Sequence, residues 1–146
     1  MNPFTLFETN HWTISHRTDS RYPGYLIISS REETLDISAL TKASLAEMGD
    51  VLAETEQLLT MVYNPYKVIT AKMGFTKGFS CHFHMIPVMP TLLDQIAAHS
   101  GYAKEPDGID AMLFICREYC ERSLNETEMQ TMDNTIALLR KKYQKS

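Results

Sequence analysis

Gly78-Phe79-Ser80-Cys81-His82-Phe83-His84-Met85-Ile86-Pro87 reads as a strand whose side chains alternate between two faces. One face carries Ser80, His82, His84 and Ile86; the other carries Cys81, Phe83, Met85 and Pro87. The second face is apolar and reads as core. The first sets two imidazoles roughly 7 Å apart on a rigid element, since a strand advances about 3.3 Å per residue. Titratable groups packed that densely have no evident packing purpose, so chemistry is expected here.

Working outward, Gly74 to Gly78 forms a turn and Tyr66 to Met73 the other arm of a hairpin. Before it, Thr41 to Tyr63 reads as a long helix, with Leu45, Met48, Leu52, Leu59 and Val62 as its apolar stripe. Thr41 can cap its start, or Ser44 with Glu47 closing a capping box; Asn64-Pro65 ends it. Two strands precede the helix, His11–His16 and Tyr25–Ser29, joined by a polar segment ending in Pro23-Gly24 and spaced as an antiparallel pair.

Beyond Pro90 the pattern is helical only. Thr91–His99 is short, and a linker at Lys104–Gly108 follows it. A second helix starts at Asp107 or Asp110 with Ile109, Met112, Leu113, Cys116 and Tyr119 as its stripe. The last runs from about Asn125 to Lys142, with Met129, Met132, Ile136 and Leu139 in line and acidic and basic ends that suit its dipole. The expected fold is α+β: an antiparallel sheet with one long helix over residues 1–90, and a C-terminal helical extension over 91–146 packed on the same domain.

The 146 residues suffice for one domain with a sizeable core. A net charge of -4 argues against non-specific duplex binding, so no nucleic acid is expected. No apolar run approaches a membrane span, and Met1-Asn2-Pro3-Phe4 has no signal-peptide character. Cys81, Cys116 and Cys120 do not look like a disulfide framework, which points to the reducing cytoplasm.

Three readings compete for His82 and His84. They can be structural histidines beside a sheet. They can be part of a metal site, although zinc wants three or four ligands and no further donor stands at ligand spacing. Or an imidazole can act as nucleophile or acid–base group, its other nitrogen held protonated by a carbonyl of the same strand.

Ser80-Cys81-His82-Phe83-His84-Met85-Ile86-Pro87 resembles the active-site strand of the histidine triad superfamily of nucleotidyl hydrolases and transferases. His82 matches the middle histidine, His84 the third and Pro87 the trailing proline. Arg21-Tyr22-Pro23-Gly24-Tyr25-Leu26-Ile27-Ile28 resembles the family's Pro-Gly strand, and Leu40-Thr41 its entry to the long helix. The likeness covers about residues 8 to 90. It implies a HIT-like fold and cleavage of a nucleoside phosphate or dinucleoside polyphosphate, with His82 as nucleophile and His84 as phosphate-side ligand or proton partner. Ser80 then supplies the tautomer-fixing carbonyl. Thr76, Lys77 and Ser80 are the candidate donors to phosphoryl oxygens, and Asp19 either binds ribose hydroxyls or is a solvated loop carboxylate.

The family also implies a homodimer, its interface drawn from the Met48–Val62 stripe or the tail helices. No protein-held metal or cofactor is expected, though magnesium can accompany the substrate phosphates. Two positions depart from the pattern. Ser80 stands where the first triad histidine is usual, and Tyr25 where many members place a histidine that contacts it. Both belong to one hydrogen-bond network and leave the nucleophile intact. The alternative function is a non-catalytic nucleotide-binding or regulatory module on the same scaffold.

Overall fold

A computed structural model describes residues 2–102 and 104–145. Met1, part of the stretch read above for a signal peptide, lies outside the described residues. The elements in chain order are β1 (Thr5–Glu8), β2 (Trp12–His16), β3 (Leu26–Ser30), a 3-10 turn (Ile37–Ala39), α1 (Lys42–Tyr63), β4 (Lys67–Ala71), β5 (His82–Val88), α2 (Pro90–Ala97), α3 (Gly108–Tyr119) and α4 (Glu126–Lys145). One antiparallel sheet runs in the order β1-β2-β3-β5-β4. The α+β reading therefore holds, with one strand more than expected. β1 is only four residues long, too short to declare a period.

The histidine strand begins at His82, not at Gly78. Cys81 nevertheless stays tied to the neighbouring strand β3, its carbonyl accepting from Ser30 N–H at 2.8 Å. β5 is central, paired with β3 on one side and β4 on the other. The face carrying Phe83 and Met85 joins Trp12, Ile14, Leu26 and Ile28 in a core covered by α1 and α4. Ile86 and Val88 belong to a second core, built with Tyr25 and the buried faces of α2 and α3.

α1 is capped by Thr41, whose side chain accepts from Ser44 N–H, and ends at Asn64 in the left-handed region (φ 45). Its most buried face is Ser44, Val51, Thr55, Leu58 and Leu59; Leu45, expected inside, is exposed. Two polar residues can be buried here because their hydroxyls are satisfied locally. Thr55 Oγ1 donates to the Val51 carbonyl at 2.7 Å, and Ser44 Oγ donates to Glu32. Glu47 closes no capping box; it accepts instead from Thr9 Oγ1 and His11 N–H, both at 3.0 Å.

α3 starts on a full capping box, Asp107 with Asp110. Its buried residues are Ala111, Met112, Phe114 and Ile115, while Ile109 and Leu113 from the expected stripe lie exposed. The helix has apolar side chains over a wide arc, and the ring cluster of His99, Tyr102 and Tyr119 around Phe114 selects which part turns inward. On α4, Met132, Ile136 and Leu139 are buried as expected, and Met129 is exposed.

Candidate active site

The pairing register puts Ile27, His84 and Ala71 side by side on one face, with Ser29 beside His82. The two imidazoles lean together, their ring centroids 5.2 Å apart. His82 Nδ1 lies 2.9 Å from the Ser80 carbonyl oxygen. A carbonyl only accepts, so His82 Nδ1 carries a proton, and in the neutral ring the lone pair is on Nε2. Gly74 closes on the same ring: a Cβ there would stand 2.6 Å from His82 Cε1 and 3.1 Å from Nε2. Only a residue without a side chain lets the turn approach that far.

Behind His84 the polar groups form a chain. Tyr25 Oη lies 2.7 Å from His84 Nδ1, Arg17 Nη1 donates to Tyr25 Oη at 2.9 Å, and Arg17 Nε donates to Asp19 Oδ1 at 2.6 Å. Cys116 Sγ of α3 is 3.6 Å from the phenol oxygen. Burial, then the neighbouring His82, then the Arg17 guanidinium push the pKa of His84 down to about 4, so it is neutral at physiological pH. Burial, then Cys116, pushes the Tyr25 phenol upward, which keeps its proton on.

His16 fixes the turn that carries this network. It accepts from Gly24 N–H at Nε2 (3.1 Å), so Nδ1 bears the hydrogen donated to the Arg17 carbonyl at 3.0 Å. Gly24 needs its φ of 83, and a Cβ would meet Tyr63 at 2.7 Å.

Ser80, His82 and His84 thus come together as one unit. Lys77 and Ser80 border a polar depression of about 800 Å³ with Ser30 and the acidic side chains Glu32, Glu33 and Asp36. Thr76 is exposed on the same turn. Asp19 is placed differently: it stands behind Arg17 and borders a separate depression with Thr18, Arg122 and Asp133. Its carboxylate is paired with Arg17 and remains partly open to solvent. The residues that sequence reading missed are Arg17, Cys116 as a neighbour of Tyr25, and Gly74. Arg17 faces Tyr25 across the β2–β3 hairpin, which only the strand register reveals. Among the described residues no three His, Cys, Asp or Glu side chains cluster as a metal site.

Sheet and site define an α+β protein that presents paired imidazoles from a central strand. No protein-family model matches the chain, and no curated protein sequence matches it. Solved structures do. The Plasmodium falciparum diadenosine triphosphate hydrolase, in complex with cyclomarin A, is similar at a TM-score of 0.66 and 9% identity, over 100% of this chain and 80% of that one. A histidine triad protein from Bradyrhizobium japonicum is similar at 0.63 and 19% identity, over 96% and 91%. A Hit-like protein involved in cell-cycle regulation from Bartonella henselae gives 0.63 and 11%, over 95% and 85%. The chain has the histidine triad fold, and the likeness includes the helical tail, which the sequence resemblance left unmatched.

Proposed function

We propose that the chain is a nucleotidyl hydrolase or transferase acting on a nucleoside phosphate or dinucleoside polyphosphate. The observation that carries this reading is the hydrogen bond from His82 Nδ1 to the Ser80 carbonyl, which makes Nε2 the nucleophilic nitrogen of the neutral ring. In the first step the Nε2 lone pair forms a bond to the α-phosphorus while the bond from phosphorus to the leaving oxygen breaks. In the second, water attacks the same phosphorus, the P–N bond breaks, the imidazole regains its lone pair, and the proton lost by the water passes to solvent. Thr76 and Lys77 on the exposed turn are the donors proposed for the phosphate oxygens, and magnesium would arrive with the substrate.

The test is to mix the protein with a labelled dinucleoside polyphosphate and trap an acid-labile adduct. Wild type should give the adduct, and His82→Asn should give none and lose turnover by a factor on the order of a thousand or more, as removal of a catalytic nucleophile does. Binding of AMP with no adduct from wild type would make the protein a nucleotide-binding module instead. The replacement of the usual histidines by Ser80 and Tyr25 is what favours that second reading.

The reading includes a homodimer. β4 is an open sheet edge, and beside it Met73, Ile109 and Leu113 are exposed apolar side chains.

A further inference from the structure

The phenol of Tyr25 has one hydrogen to give and three polar neighbours: Arg17 Nη1 at 2.9 Å, His84 Nδ1 at 2.7 Å and Cys116 Sγ at 3.6 Å. A guanidinium can only donate, so the phenol oxygen accepts from Arg17. The hydrogen is left for either the imidazole nitrogen or the sulfur. Nitrogen is the better acceptor and lies at full hydrogen-bond distance; a thiol at that range is a weak partner. The cation on the phenol oxygen also strengthens the O–H as a donor and weakens the oxygen as an acceptor from His84.

We infer that Arg17 and Tyr25 are positioning residues that hold His84 with its proton on Nε2, the opposite tautomer to that of His82. β5 then presents a lone pair and an N–H from adjacent rings 5.2 Å apart. A phosphoryl group attacked by His82 Nε2 meets a neutral donor in His84 Nε2–H, placed to stabilise charge growing on a phosphoryl oxygen. Tyr25 bonding to Nδ1 makes that N–H more acidic and therefore a stronger donor. Arginine and tyrosine here supply what the sequence pattern left unassigned when the usual histidine was absent. The use of this arrangement rests on the nucleotidyl-transfer reading; the tautomer itself does not.

The experiment uses the full chain, labelled with nitrogen-15 and without substrate, and reads ring nitrogen tautomers from long-range proton–nitrogen spectra. Wild type should show His84 protonated on Nε2 and His82 protonated on Nδ1. In Tyr25→Phe the His84 Nδ1 signal should move towards that of a nitrogen without a hydrogen bond, with His82 signals unmoved. Arg17→Met should shift it the same way by less, and Arg17→Lys should restore it in part. With substrate, Tyr25→Phe should lower kcat on the order of tenfold, the worth of one neutral hydrogen bond, with KM little changed. A wild-type His84 protonated on Nδ1, or a Tyr25→Phe spectrum identical to wild type, would overturn the inference. The stated tautomers in a protein that forms no His82 adduct would uphold it and overturn only the transfer reading.

Discussion

Two imidazoles on one strand sit in different electrical surroundings. His82 is anchored to a backbone carbonyl, whereas His84 is enclosed by Ile27, Ala71 and Tyr25 with a guanidinium behind them. Charging His84 would mean desolvating a cation beside another cation, so its folded pKa falls from 6.5 to about 4. Between those values the unfolded chain binds more protons than the folded one. Stability therefore rises with pH across that window, and the contribution of His84 is lost as pH falls through it. A melting-temperature series should show this acid loss, and His84→Gln should reduce its slope. A His84 ring titrating near its ordinary value in the folded protein would contradict the enclosure described here.

At the scale of elements, α3 joins the tail to the site. Phe114 anchors it, 2% exposed and edge-on to the rings of His99 and Tyr102. Phe114→Ala should cost about 3–5 kcal/mol in denaturant unfolding, the range for truncating a buried aromatic. A loss under about 1 kcal/mol would mean that α3 holds its place by other contacts. The helix was visible in the sequence through its acidic cap, but its inward face was not. Ile109 and Leu113 repeat as regularly as Ala111 and Ile115, and periodicity cannot choose between two apolar arcs when the partner surface is unknown. The same reasoning explains α1, where buried Ser44 and Thr55 look like surface residues until their hydrogen bonds are seen. The link from Cys116 to Tyr25 spans 91 residues, and no local pattern encodes it.

For the whole molecule, the hairpins and the long helix follow from alternation, turns and caps near in sequence, so they were legible. So was the unit of Ser80, His82 and His84, because its parts lie within five residues of one another. Asp19 was legible as a charged loop residue but not as the partner of Arg17, since side-chain pairing in a loop leaves no period. The proposed homodimer belongs to this scale too. Sedimentation should give twice the chain mass, and Ile109→Glu should return a monomer; a wild-type monomer at micromolar concentration would end the proposal.

The first strand and the last helix are clasped together. Phe7 stacks on Tyr143 with centroids 3.8 Å apart, and Arg140 donates to the Thr5 carbonyl at 2.9 Å. β5, meanwhile, is wedged between strands that both precede the 74–79 turn. A protease nick in that exposed turn would thus split the backbone without parting the particle. Each fragment keeps the other gripped, by a shared sheet in the middle and a buckle at the rim.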